Sequence, residues 1–292
     1  MPSNDGSGWE SVHVYLHDFA RLTHFLQVCV AAISPPLGGQ CFFVRYWMGG
    51  PHLRLRLREA ALAPLLEQAA ARYWDAHGFT STLEPDAFYR GYASELPPGA
   101  ERCWHTNGSV HRIDYEPELA RYGGPAGIGL CEDEFVSDSS AMLAMLGQEA
   151  PDRIEHILFG YCLVHARALA ASGLYDGYAR FICGSANPAV VRRQIALRSG
   201  DRITAPAPAL LARHAHLVAG AWFPDYLTPL SLRLTALLAR LAGNGCHDIA
   251  SIMSSLLHMS FNRAGISPAR EATIRLYSLS VTNEVYSCAS CN

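Results

Sequence analysis

The sequence contains no lysine; all 23 basic residues are arginine. That absence excludes every chemistry that needs a side-chain amine, including Schiff bases, pyridoxal phosphate anchoring and the lysine of a phosphate-binding loop. A GC-rich coding bias would leave the same trace, since Ala, Gly, Arg and Leu are all abundant. Excess positive charge is also missing. With 26 acidic residues the formal net charge is −3, which offers no electrostatic footprint for direct nucleic-acid binding. No stretch reaches the roughly 18 to 20 consecutive apolar residues that a membrane span requires. The opening Met1-Pro2-Ser3-Asn4-Asp5-Gly6-Ser7-Gly8 lacks the basic and apolar regions of a signal peptide. A cytoplasmic chain with a disordered tail over residues 1–8 is expected. There is no H-E-x-x-H, no G-x-S-x-G, no dinucleotide fingerprint and no internal repeat.

What is present suits a globular protein. The chain has 292 residues, half of them hydrophobic and 17% charged, enough for one large core or two modest ones. Nine cysteines is an odd count, and most lie in apolar segments, as reduced core thiols do. Cys288-Ala289-Ser290-Cys291 has C-x-x-C spacing, but with no second pair and no strand before it, it reads as part of an exposed tail over 288–292.

Alternation at Val12 to Leu16 predicts a strand, and the spacing of Phe19, Leu22, Phe25, Leu26 and Cys29 predicts a helix over 18–33. Two alternating runs, Cys41 to Met48 and His52 to Arg58, flank Gly49-Gly50-Pro51 and predict a tight hairpin. A helix over 60–77 and strand-like pieces at 79–83 and 109–114 complete a β-α-β-β-α-β-like half, with a small antiparallel or mixed sheet. From Tyr115 the period becomes helical, over 132–146, 153–171, 190–199, 208–219, 230–241, 247–261 and 268–287. The expected fold is therefore α+β, with the sheet and its helices first and a helical bundle after. Turns of ordinary length separate these elements, so one domain is expected over 9–287, divided into a sheet-containing half at 9–114 and a mainly helical half at 115–287.

Three groups of residues could carry chemistry. If the hairpin loop is Gly49-Gly50 alone, Arg45 pairs with Arg54, Phe43 with Arg56 and Trp47 with His52. Phe42, Val44, Tyr46, Leu53, Leu55 and Leu57 then face the core, while Phe43, Arg45, Trp47, His52, Arg54, Arg56 and Arg58 share the other face. Arginine is common on solvated sheet faces, but like charges directly opposite one another are destabilising without an anionic partner. Arg45, Arg54 and Arg56 thus suit a carboxylate or phosphate cradle. Second, Glu118 and Arg121 are three apart and can pair on one helical turn. Third, His258 and Asn262 share a face near the end of a helix; a histidine amid leucine and methionine is also a common core residue.

Phe42-Phe43-Val44-Arg45-Tyr46, Pro51-His52-Leu53-Arg54-Leu55-Arg56, Tyr115-Glu116-Pro117-Glu118 and Arg121-Tyr122-Gly123-Gly124 together resemble the elimination domain of class I lanthipeptide dehydratases. Glu132-x-x-Phe135, Asp138-Ser139, His258-Met259 and Asn262-Arg263 continue the likeness in order. The chain looks like the stand-alone form found in thiopeptide clusters, where glutamylation is done by a separate protein. The resemblance implies a lyase that expels glutamate from a glutamylated Ser or Thr of a ribosomal precursor peptide, leaving dehydroalanine or dehydrobutyrine. It implies that Arg54, Arg56 and Arg121 bind glutamate and stabilise developing charge, that Glu118 orients an arginine, and that His258 transfers a proton. Arg45, His52 and Asn262 are counted with substrate binding. No metal or organic cofactor is implied. The partners implied are the glutamylated precursor peptide and a separate tRNA-dependent glutamylation protein, with a homodimer left open. Two alternatives remain at this point: a pyridine synthase on the same fold, joining two dehydroalanines with loss of the leader, and a non-catalytic subunit that docks the precursor.

Overall fold

The computed structural model describes residues 8–31, 40–78, 80, 81, 83–92, 103–183 and 225–286. The expected helices over 190–199 and 208–219, the terminal tails and the Cys288/Cys291 pair lie outside the described residues. The chain divides into two compact units. One comprises residues 1–117 and 135–148, the other 118–134 and 149–292.

The first unit is built on a four-stranded antiparallel sheet. Its strands are β1 (Glu10–Tyr15), β2 (Cys41–Tyr46), β3 (His52–Leu57) and β4 (Val110–Arg112), in the order β2-β3-β1-β4. The helix Phe19–Phe25 starts where Asp18 Oδ1 accepts from the backbone N–H of Ala20 and Arg21, a side-chain N-cap. It runs into a π-turn at Leu26–Val30. A 3₁₀ turn (Ala60–Leu62) leads into the helix Ala63–His77. One sheet face carries Val12, Val14, Phe43, Leu53, Leu55 and Leu57, all fully buried together with Leu22, Phe25, Leu66 and Ala70 of these helices. Each such side chain contributes about 1.5 to 3 kcal/mol of burial.

The hairpin register differs by one residue from the expected one. Phe42 lies opposite Arg56, Val44 opposite Arg54, Arg45 opposite Leu53 and Tyr46 opposite His52. The loop has five residues, not two. Gly50 N–H donates to Trp47 O at 3.0 Å, Gly49 and Gly50 take φ of 92° and 99°, and Gly49 is pinned by the Tyr89 hydroxyl and by His105 N–H. Because side chains alternate with period two, this shift exchanges the faces of β2 relative to β3. Phe42, Val44 and Tyr46 join the arginine face, while Arg45 joins Phe43 on the leucine face. Glycine is required at the turn, where a Cβ on Gly50 would lie 2.5 Å from His17 Nε2. Gly50→Ala is expected to cost about 2 kcal/mol and to lower Tm by several degrees in a thermal melt. Gly91→Ala, where a Cβ meets nothing within 4 Å, is expected to leave Tm nearly unchanged.

One other expectation on this unit is corrected. Residues 80, 81 and 83 form no strand. Gly78 at φ 64° ends the preceding helix, and Pro85 starts a new one, Pro85–Gly91, whose first position needs no N–H.

The second unit is helical. The helix Gly124–Gln148 starts eight residues before the expected helix over 132–146, and its first part belongs here while its second part belongs to the sheet-bearing unit. Pro151–Ala171, Tyr175–Cys183, Thr228–Gly243, Ile249–Ala264 and Pro268–Tyr286 follow. The helix Tyr175–Cys183 has no counterpart in the periodicity reading. Pro151–Ala171 is the central element, with Leu158, Phe159, Cys162, Leu163, Val164, Ala166 and Leu169 buried. The helix Ile249–Ala264 ends on Gly265 at φ 80°, where Gly265 N–H donates to Asn262 O and Ile266 N–H to Phe261 O. No described helix is long and apolar enough to cross a membrane.

Candidate active site

The polar face of the sheet gathers side chains from all four strands. Cross-strand pairing sets Ser11 beside Arg56, His13 beside Arg54, Tyr15 beside His52 and His13 beside His111. Rings stack along this face: His13 on His52 at 5.1 Å, Tyr15 on His52 at 4.3 Å and Tyr15 on His105 at 4.3 Å between centroids. The two arginines are held by rings and imidazoles. Arg54 lies 3.4 Å over Tyr46 and its Nε donates to His52 Nε2 at 3.2 Å. Arg56 lies over Tyr115 at 5.1 Å, and its Nη1 is 3.3 Å from His13 Nε2.

Guanidinium nitrogens only donate, so both imidazoles must accept. Burial, with Arg56 and its neighbours next, pushes the His13 pKa down to about 2. Burial likewise holds His52 at about 3, its Nδ1 bonding Gly50 O at 2.7 Å. Arg56 is itself lowered to about 10 by burial and by Arg54, so it stays charged at neutral pH. The result is a cationic face whose supporting histidines are neutral. Arg45 is not part of it. It is buried on the opposite face, its Nη1 donates to Thr23 Oγ1 at 3.0 Å, and burial lowers its pKa to about 10. This corrects its expected place in the cradle, and follows from the hairpin register.

A second cluster lies in the helical unit. Arg121 Nη1 pairs with Glu118 at 3.1 Å, and Arg121 Nε donates to Ser255 Oγ at 3.2 Å. Both partners of this ion pair are exposed, so it adds little stability; its effect is to direct the guanidinium onto the helix Ile249–Ala264. Ser255 and His258 are three apart and Asn262 four further on, so all three share that helix's face. His258 Nδ1 bonds Glu271 Oε2 at 2.7 Å. Glu271 Oε1 lies 2.9 Å from Arg275 Nε, and Arg275 donates to Ser254 Oγ and Ser254 O at 2.8 and 2.7 Å. Glu271 and Arg275 are each 8% exposed, whereas the His258 side chain is 35% exposed. The buried carboxylate thus fixes one nitrogen of a ring that is itself partly exposed.

The structure therefore brings Arg54, Arg56 and His52 together in one unit and Glu118, Arg121, His258 and Asn262 together in the other. Sequence reasoning missed Glu271, Ser255 and His13. Glu271 lies 13 residues from His258, a separation no helical spacing rule covers, though the first turn after Pro268 is where an acidic residue is common. His13 could have been found from the alternation of β1, which puts it on the polar face. No group of three or more His, Cys, Asp or Glu residues able to hold a metal occurs among the described residues.

The family described as lantibiotic biosynthesis dehydratase, C-terminal, matches residues 9–281. No curated protein sequence matches the chain. Among solved structures, a protein titled "Pyridine synthase, TbtD, from thiomuracin biosynthesis" is similar at 17% identity and a TM-score of 0.69, with 96% of this chain and 99% of that chain covered. TsrL is similar at 14% identity and a TM-score of 0.58, with 96% and 95% covered. The tRNA-dependent lantibiotic dehydratase MibB from Microbispora sp. 107891 is similar at 20% identity and a TM-score of 0.54. All of this chain but only 29% of MibB is covered. At these identities the likeness is one of fold.

Proposed function

The chain belongs to the lantibiotic biosynthesis dehydratase C-terminal family, an enzyme family of modified ribosomal peptides, and from that premise we propose that it eliminates glutamate from glutamylated Ser or Thr of a precursor peptide. The observation that carries this reading is the His258–Glu271 pair at 2.7 Å, with Arg121 bonded one helical turn away to Ser255. A base, the group that orients it and a cation beside it are what removal of a weakly acidic proton needs.

In the proposed reaction the Cα–H and Cβ–O bonds of the glutamylated residue break and a Cα=Cβ bond forms. Glutamate departs as a carboxylate. With Nδ1 bonded to a carboxylate, the neutral ring carries its proton there, and Nε2 is the acceptor for the α-proton. Arg121 stabilises the enolate-like charge, with Glu118 holding its fork. Arg54 and Arg56 bind the carboxylates of the glutamyl group as forked donors. The reading requires no metal or organic cofactor, and assigns glutamylation of the precursor peptide to a separate tRNA-dependent protein.

A second reading is favoured by one observation: the near-complete mutual coverage with the pyridine synthase TbtD. A synthase would join two dehydroalanines and shed the leader. The elimination reading is preferred because this sequence holds Arg54, Arg56, Glu118, Arg121 and His258, the set its resemblance to elimination domains rests on. Incubating a purified glutamylated precursor with the protein decides between them by mass spectrometry. Loss of glutamate with appearance of dehydroamino acids is the expected result. An untouched adduct rejects elimination, and loss of a whole leader from an already dehydrated peptide supports the synthase.

A further inference from the structure

Arg275 has no role in the reaction above, yet its contacts approach His258 from two directions. Its Nε lies 2.9 Å from Glu271 Oε1, on the carboxylate whose other oxygen bonds His258 Nδ1 at 2.7 Å. From the same guanidinium, Nη1 donates to Ser254 Oγ at 2.8 Å and Nη2 to Ser254 O at 2.7 Å. Ser254 stands four residues before His258 in the helix Ile249–Ala264. In an α-helix each carbonyl accepts from the N–H four residues on, so Ser254 O is also the acceptor for the backbone of His258. The contacts close a loop that runs from the imidazole through carboxylate, guanidinium and Ser254 back to the main chain of the same histidine.

An i, i+4 Glu–Arg pair is ordinary on a helix and adds little in water. This pair is not in water. Glu271, Arg275 and Ser254 are all buried, and an ion pair withdrawn from solvent is sustained only where further hydrogen bonds satisfy it. Ser254 supplies two of them. The guanidinium carbon also lies 6.0 Å over the ring of Phe261, three residues past His258 on the same helix. A planar fork can hold Glu271 and both Ser254 oxygens at once, whereas a lysine ammonium is a single point on a flexible stem. Glutamate has several rotatable bonds, so holding its Oε1 is what aims Oε2 at the imidazole.

We propose that Arg275 is a positioning residue for His258, fixing Glu271 against the helix that carries the ring and so setting the ring's tautomer and direction. That the ring serves as a base rests on the elimination reading; the positioning does not.

Two measurements on the full chain test this. Nitrogen–proton correlation spectra of histidine-labelled protein at about pH 8, above the ordinary imidazole range, read the tautomer, with the His258 signals identified by their loss in His258→Ala. The wild type is expected to carry its ring proton on Nδ1, as a carboxylate there dictates. Arg275→Lys, which keeps the charge and loses the fork, should move a measurable fraction to Nε2. Ser254→Ala, which removes one hydroxyl, should move a smaller fraction. Steady-state release of glutamate from a glutamylated precursor is the second measurement. Arg275→Lys is expected to lower kcat about 10-fold with KM unchanged, part of the roughly 10²-fold that a 1 Å misplacement costs. Ser254→Ala should lower it about 3-fold, again through placement alone. In a His258→Ala background, Arg275→Lys should change kcat by less than about 2-fold, because the group it positions is gone. A merely structural arginine would cost the same in both backgrounds. The proposal is overturned if the wild-type ring carries no Nδ1 proton, if Ser254→Ala leaves both tautomer and kcat at wild-type values, or if Arg275→Lys is as costly without His258. If the tautomer shifts in the variants although the wild type releases no glutamate, the positioning stands and the elimination reading fails.

Discussion

His258→Ala is expected to lower the rate of glutamate release by about 10² to 10⁴-fold, the usual contribution of a positioned general base, with the glutamyl adduct accumulating on the peptide. The ring is one-third exposed and its Nδ1 is tied to Glu271, so removing it leaves the fold largely intact and deletes the group that the elimination reading uses as proton acceptor. Glu271→Gln separates positioning from chemistry. The amide can still accept at one oxygen, but it no longer stabilises the imidazolium that forms as the proton arrives. A loss of about 10- to 100-fold in kcat is expected, with KM little changed. Single-turnover release of glutamate, followed by mass spectrometry, measures both variants. A His258→Ala protein that releases glutamate at the wild-type rate removes His258 from the mechanism.

Acid is expected to destabilise the protein far more steeply than its modest net charge implies. His13, His52 and His165 are buried at 4%, 0% and 1% exposure, and burial lowers their pKa values to about 2, 3 and 4. In each case the folded value lies below the unfolded value of about 6.5. The unfolded chain therefore binds protons that the folded chain refuses, and the stability present above pH 6.5 is lost as pH falls toward the folded values. Between pH 6.5 and pH 5 each ring costs about 2 kcal/mol. His17 and His105 are lowered in the same direction by burial. Two of the three deeply shifted rings lie in the sheet-bearing unit, so strand amides should lose hydrogen-exchange protection at higher pH than those of the helix Pro151–Ala171. Melting curves from pH 7.5 to 4.5 are expected to show Tm nearly flat above pH 6.5 and falling sharply below it. A Tm that stays level down to pH 5 refutes the buried neutral state of these rings.

Much of the architecture is legible in the sequence because burial imposes a period. The leucines of β3 and the spacing of Leu256, Leu257 and Phe261 mark their faces without coordinates. The hairpin register is not legible in this way, because Gly49-Gly50 satisfies a two-residue turn as well as the five-residue loop that Tyr89 and His105 stabilise from elsewhere in the chain. A register shift of one residue then decided where Arg45 points. Short helices such as Pro85–Gly91 escape detection because two turns are too few to establish a period. At the candidate site, motif likeness singles out Arg54, Arg56, Glu118, Arg121 and His258, but their supports are invisible to it. Glu271 reaches His258 from the next helix, and His13 reaches Arg56 only because β1 lies beside β3.

The chain of contacts from His258 through Glu271 and Arg275 to Ser254 bears on how firmly the ring is held. Glu271 Oε2 bonds the imidazole at 2.7 Å while its Oε1 lies 2.9 Å from Arg275 Nε, and Arg275 is in turn anchored on Ser254. The brace thus returns to the helix that carries His258, so the ring and its carboxylate are fixed by two helices locked together rather than by one side chain free to swing.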